Sequence, residues 1–189
     1  MSEAHPAILI SGISLAGKST LARALVEKSS LPLDLIEGDD LHTKDSIAKM
    51  SSGIPLDDAD REGWRARLGE LIAGHMPPPV RMITCSALSR RFRDQLRGFG
   101  AIRFVFLTIS PQLAQRRAQD RLADDAKHFF QPSQFPQLLA GQFRDQQIPS
   151  SDEVDCFVVQ VDHYLTLSKA VSTVPEPLIN DVTSWLNWD

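Results

Sequence analysis

The run ILISGISLAGKSTLARAL, residues 8–25, constrains the fold more than any other part of the chain. It passes from a continuous apolar stretch into a segment bounded by Gly12 and Gly17, and then into Leu21, Leu25 and Val26 at helical spacing. A strand that turns so directly into a helix must pack that helix back over its own sheet, which favours layered α/β architecture. The rest of the chain repeats this alternation. Apolar runs at 7–11, 33–37, 80–85, 102–109 and 155–161 read as strands. Helices are expected at 18–29, 41–50, 58–73 and 88–97, after the Ser110-Pro111 start signal, and in the tail through Ile179, Val182, Trp185 and Leu186. The strands are apolar throughout rather than at alternate positions, the pattern of a parallel sheet covered on both faces. No repeat, linker or low-complexity segment interrupts the 189 residues, so one domain over 1–189 is expected.

Gly12-Ile13-Ser14-Leu15-Ala16-Gly17-Lys18-Ser19 fits the pattern G-x-x-x-x-G-K-[ST] and sits between a strand and a helix, where phosphate binding requires it. Loop N–H groups and the positive end of the helix can converge on nucleotide phosphates, with Thr20 extending the set. Lys18 is expected to neutralise the γ-phosphate, and the Ser19 hydroxyl to hold Mg²⁺ arriving with ATP. The centre of the loop is Ser14-Leu15-Ala16, without glycine. If Leu15 must adopt φ > 0, it costs about 1 kcal/mol or more relative to glycine.

The second strand ends in IEGDDLH, placing Glu37, Asp39 and Asp40 at the carboxyl edge where such sheets bind ligands. Asp39 is the candidate to orient an acceptor hydroxyl and take its proton. Glu37, on the same side of the strand, is placed to hold a Mg²⁺-bound water. Asp40 reads equally as a cap for the next helix.

Composition narrows the partners. Net charge is −4 and no Lys/Arg run occurs, which argues against nucleic acid or an anionic membrane. No stretch is long enough for a membrane span, and the N-terminus lacks the features of a signal peptide, so the chain reads as cytoplasmic. Cys85 and Cys156 are expected to be buried free thiols, and the scattered histidines give no metal site built from protein ligands alone.

Longer motifs make the reading specific. GDDLHTKDSIAKMSSGIPLDDADREGW (38–64) resembles the gluconokinase signature G-D-x-L-H-P followed by K-M-x-x-G-x-P-L-x-D-x-D-R. TCSALSRRFRDQLR (84–97) is similar to that family's C-S-A-L-K-K-x-Y-R-D-x-L-R stretch. HFF (128–130), SQF (133–135) and GQFRDQQIP (141–149) resemble its H-F-F/M and Q-F-x-x-L-x-x-P segments. These matches run in order from residue 8 to about 162.

The resemblance implies ATP-dependent phosphorylation of D-gluconate at its 6-hydroxyl, feeding the pentose phosphate pathway. It implies the three-layer, shikimate-kinase-like version of the P-loop NTPase fold, with a parallel five-stranded sheet of order 2-3-1-4-5, and commonly a homodimer. Substrate contacts then fall to Asp39, His42, Lys49, Arg61, Ser86, Arg90, Arg93 and His128, since a polyol with one carboxylate needs hydrogen-bonding groups and a cation. Arg117 and Arg121, one helical turn apart, match the family's R-x-x-x-R before a lid at about 122–135 and are the candidate cations for the transferring phosphoryl group. The C-terminal Trp185 and Trp188 are expected to pack a final helix on the sheet, with a dimer seam as the alternative.

The chain departs from the family at Ser14-Leu15-Ala16, at Ser89 in place of the first lysine of the K-K pair, at Thr43 in place of proline, and in a longer, more acidic LADDAK (122–127). Two other readings fit the same residues: a kinase for another sugar acid or polyol, and a nucleotide- or metabolite-binding protein without turnover.

Overall fold

A computed structural model describes residues 5–54, 56–74, 79–123, 134–167 and 174–186. The chain order is β1 (Ala7–Gly12), α1 (Lys18–Lys28), β2 (Leu33–Glu37), a 3₁₀ turn (Gly38–Leu41), α2 (Lys44–Ser51), α3 (Asp58–Ala73), β3 (Val80–Thr84), α4 (Arg90–Arg97), β4 (Ile102–Thr108), α5 (Pro111–Ala123), α6 (Phe135–Asp145), β5 (Cys156–Gln160), α7 (Val161–Leu167) and α8 (Glu176–Leu186). The sheet is parallel throughout with order β2-β3-β1-β4-β5, as the family resemblance implied.

The central strand shows why the sheet is covered twice. Every residue of β1 is buried. Ile8 and Ile10 point into one apolar cluster with Leu21 and Leu25 of α1, Val105 and Leu107 of β4, and Val182 of α8. Leu9, on the opposite face, packs with Ile83, Phe104, Trp64, Leu68 and Leu96. Each such side chain contributes about 1.5–3 kcal/mol by leaving water, so the strand is stable only between two helical layers. Among the described residues no helix is long and apolar enough to cross a membrane.

Helix boundaries follow their caps. α3 begins where the sequence reading puts it because Asp57 and Asp60 form a reciprocal capping box. α4 begins at Arg90 rather than 88, since the Ser89 hydroxyl accepts from Phe92 N–H and caps it. α2 begins at Lys44 rather than 41, because Thr43 caps it and residues 38–41 wind as a 3₁₀ turn. Asp40 therefore does not cap the helix; it is exposed in that turn. Helices α6 and α7 were not anticipated. Most of the expected lid, and Trp188, lie outside the described residues.

Both cysteines are free, Cys85 buried and Cys156 half-buried. Burial pushes each thiol up to about 12, so neither carries a thiolate near neutrality. Trp185 packs as expected, stacked on Phe157 with the Arg103 guanidinium over its ring.

Arg93 requires a correction. It was expected to meet substrate, but its side chain is 0% exposed and is spent on structure. Its Nε and Nη2 donate to the two oxygens of Glu153 at 2.8 and 2.7 Å, and Nη1 donates to the Ala87 and Leu88 carbonyls. Arg97 adds a bond to Glu153 and a bidentate pair to Asp155. This network ties α4 to the loop after β3 and to the approach of β5.

The Arg93 guanidinium, ahead of the opposing cost of burial, holds Glu153 from an ordinary 4.5 down to about 2. A carboxylate with a depressed folded pKa contributes its full stability above its unfolded pKa and loses it as pH falls toward the folded one. Acid unfolding of the wild type should therefore steepen below about 4.5 and be spent near 2. Glu153→Gln, which strands a buried guanidinium, should cost about 3–5 kcal/mol at neutral pH and flatten that acid limb. Denaturant melts across pH check both, and an unchanged midpoint in Glu153→Gln contradicts the assignment.

Candidate active site

The phosphate loop leaves the sheet where only glycine fits. Gly12 has φ 132, and a Cβ there would lie 2.4 Å from the Leu107 carbonyl oxygen of β4. From there the chain makes a tight turn in which Ala16 N–H donates to Ile13 C=O at 3.2 Å. Leu15, in the second central position, has φ 65. The strain anticipated from the sequence is present, worth about 1–2 kcal/mol. Three contacts offset it: the Leu15 side chain packs on the core, Arg117 Nη1 donates to Leu15 C=O at 2.8 Å, and Ser14 N–H donates to Gln142 Oε1 at 2.7 Å. Gln142 was missed in the sequence. Lys18 Nζ donates to the Gly12 and Ile13 carbonyls at 3.1 and 3.0 Å, which keeps the ammonium over the loop.

Ser19 is the second residue of α1, and its hydroxyl donates to Glu37 Oε2 at 2.8 Å. The Thr84 hydroxyl donates to the same oxygen. Glu37 Oε1 is buried without a hydrogen-bond donor and lies 3.5 Å from the Arg23 guanidinium. Ser19, Thr84 and Glu37 thus gather oxygen ligands, one of them a carboxylate oxygen that accepts no hydrogen bond, the donor chemistry a hard divalent cation such as Mg²⁺ selects. Among the described residues no cluster of three or more His, Cys, Asp and Glu side chains could hold a metal by itself.

Asp39 reaches the same space because Gly38 lets the chain turn close over β3: a Cβ at Gly38 would sit 2.3 Å from the Thr84 carbonyl oxygen. Trp64 of α3 fixes that turn by donating its indole N–H to Gly38 C=O at 2.7 Å. His42 lies flat on Trp64, with ring centroids 4.9 Å apart and planes 1° from parallel, and Trp64 stacks on Phe92. The His42 Nδ1 atom is buried without a partner. Burial lowers the imidazole pKa below 6.5, opposed by Asp39 and reinforced by Arg67 and Arg61.

These groups share one cleft of about 860 Å³. Its floor is the phosphate loop, including Ser14, Lys18, Ser19 and Thr20. On the β2 side stand Glu37, Asp39, His42, Arg61 and Trp64, with Ser86 after β3. On the β5 side the wall is apolar, formed by Val161, Leu165, Val174, Pro175 and Leu178. Arg117 lines the cleft from α5, half-buried, and desolvation lowers its pKa.

Three expected substrate residues are not brought to the cleft. Lys49 is turned onto both oxygens of Asp60 at 2.6 and 2.8 Å. Arg90 pairs with Asp152 at 2.6 Å on the exposed face of α4. Arg93 is buried with Glu153. His128 and the side chain of Arg121 lie outside the described residues.

No family model matches the chain. Known proteins do resemble it. The chain is 34% identical over 163 residues to the thermoresistant gluconokinase of Escherichia coli (strain K12), covering 85% of this chain and 87% of that protein. It is 37% identical over 153 residues to the gluconokinase of Gluconobacter oxydans (strain 621H), covering 77% and 78%. Among solved structures, a gluconokinase from Sinorhizobium meliloti 1021 superposes with a TM-score of 0.68 at 31% identity, over 98% of this chain and 94% of that one.

The stacked imidazole provides a direct check on the β2 side of the cleft. Because the folded state resists its protonation, stability should fall as pH drops below 6.5, and His42→Gln should remove that part of the slope. Proton NMR of the imidazole should give a midpoint below 6.5. A midpoint at or above that value contradicts the buried, neutral stacking.

Proposed function

The chain belongs to the gluconokinase family, and we propose on that footing that its cleft moves the γ-phosphoryl group of ATP to the 6-hydroxyl of D-gluconate, giving 6-phospho-D-gluconate and ADP. One observation carries the reading: the phosphate loop at the end of β1 and the Asp39 carboxylate beyond β2 face a single cleft large enough for both reactants.

The division of labour follows from the walls. The apolar side, from Val161 to Leu178, suits a nucleobase, and the loop N–H groups with the N-terminus of α1 suit its phosphates. Lys18 and Arg117 neutralise charge on the transferring group from two directions, a desolvated arrangement in which fixed cations act strongly. Mg²⁺ brought with ATP would be held by oxygens at Ser19 and Glu37 and would neutralise phosphate charge. On the β2 side, Arg61 supplies the cation for the sugar-acid carboxylate. Neutral His42 offers a ring nitrogen to a hydroxyl, Trp64 gives an apolar floor, and Ser86 leaves room at the sheet edge.

Asp39 accepts the proton of the 6-hydroxyl as its oxygen bonds to the γ-phosphorus, while the bond from that phosphorus to the bridging oxygen of ADP breaks. Asp39 is exposed at the cleft, where a bound hydroxyl can reach its carboxylate. The same reading includes a single kinase domain over 1–189 and a lid near 122–135 that carries His128, with Arg121 just before it.

ADP release from ATP and Mg²⁺, with and without D-gluconate, tests this. The wild type should turn over only when gluconate is present. Lys18→Ala and Asp39→Asn should each lower kcat by at least about 10²-fold. Gluconate-independent ADP release, or an Asp39→Asn variant at full rate, contradicts the reading.

A further inference from the structure

We infer that Gln142 of α6 is a positioning residue for nucleotide binding, holding the glycine-free centre of the phosphate loop in the backbone shape that phosphates require. This rests on the reading of the loop as the nucleotide site.

The turn closed by Ala16 N–H on Ile13 C=O has Ser14 and Leu15 as its central residues, and Leu15 alone of the two has positive φ. That combination is a type II turn, whose second central position favours glycine. A leucine there drifts toward other turn shapes unless the two ends of the central pair are held. Both ends are held from outside. The Ile13–Ser14 peptide, entering the pair, donates Ser14 N–H to Gln142 Oε1 at 2.7 Å. The Leu15–Ala16 peptide, leaving it, accepts at Leu15 C=O from Arg117 at 2.8 Å.

A backbone N–H can only donate, so the oxygen of the carboxamide faces the loop. The bond also crosses the fold, because Gln142 and Ser14 are 128 positions apart. Gln142 lines the cleft beside the loop, so this clamp sits at the phosphate site itself. A glycine at position 15 would need no such clamp. The two residues are therefore energetically coupled, and Leu15 is tolerated because Gln142 is present.

Binding of the non-hydrolysable analogue adenylyl-imidodiphosphate with Mg²⁺, measured by calorimetry without gluconate, tests the coupling. Gln142→Ala, and Gln142→Met, which keeps bulk but lacks the acceptor, should each weaken binding about tenfold with little change in Tm. In a Leu15→Gly background the same substitutions should weaken binding by about twofold or less. Leu15→Asn, which also tolerates left-handed backbone, serves if Leu15→Gly folds poorly.

Equal losses in both backgrounds would reduce Gln142 to a general structural contact, and unchanged binding in Gln142→Met would sink the proposal outright. Failure of gluconate turnover in the wild type would overturn the kinase reading and leave this binding cycle fully readable.

Discussion

The cleft depends on the exit of β1 from the centre of the sheet. Strands β3 and β4 flank β1 so closely that Gly12 touches the Leu107 backbone, leaving no space for any side chain. The chain must therefore turn at once, and the turn presents its N–H groups at the carboxyl edge with α1 behind them. Both apolar clusters use β1 as their common wall, so the energy that holds the strand in place also holds the loop. Strain at Leu15 is local and small beside that burial. It persists because α5 and α6 each lend a side chain to the loop.

Polar groups divide by the same geometry. Carboxylates on the β2 side are either engaged by hydroxyls, as Glu37 is by Ser19 and Thr84, or exposed at the cleft rim, as Asp39 is. Aromatic stacking of His42, Trp64 and Phe92 stiffens this side, and the indole N–H tethers the turn that carries Asp39. The opposite wall is apolar. A cleft with one polar, one apolar and one phosphate-binding surface suits two dissimilar reactants held at a fixed separation, which is how phosphoryl transfer gains most of its rate.

Much of this was legible in the sequence, for physical reasons that differ by element. Continuous apolar strands, the G-x-x-x-x-G-K-S spacing and the Ser110-Pro111 start signal are all local signals, and each element they predict is present. Long-range pairing left no local trace. Arg93 lies in a stretch that resembles the family's, yet its partner Glu153 is 60 positions away, and only the fold reveals that the pair is buried. Lys49 faced the same ambiguity, settled by Asp60 on the neighbouring helix. Gln142 was hidden because a glutamine on an amphipathic helix is ordinary until the loop it meets is known. The one signal pointing to it was the missing glycine at position 15, which demanded a compensating contact somewhere.

The most direct test of the account is where the phosphate ends up. Incubation with ATP, Mg²⁺ and D-gluconate labelled with ¹³C at carbon 6, followed by ³¹P NMR, reports the site of transfer through phosphorus–carbon coupling. The account predicts a phosphate monoester coupled to carbon 6, formed by the wild type and lost in Asp39→Asn. ATP bound without any phosphorylated gluconate, or a phosphate carried on another carbon, would contradict it.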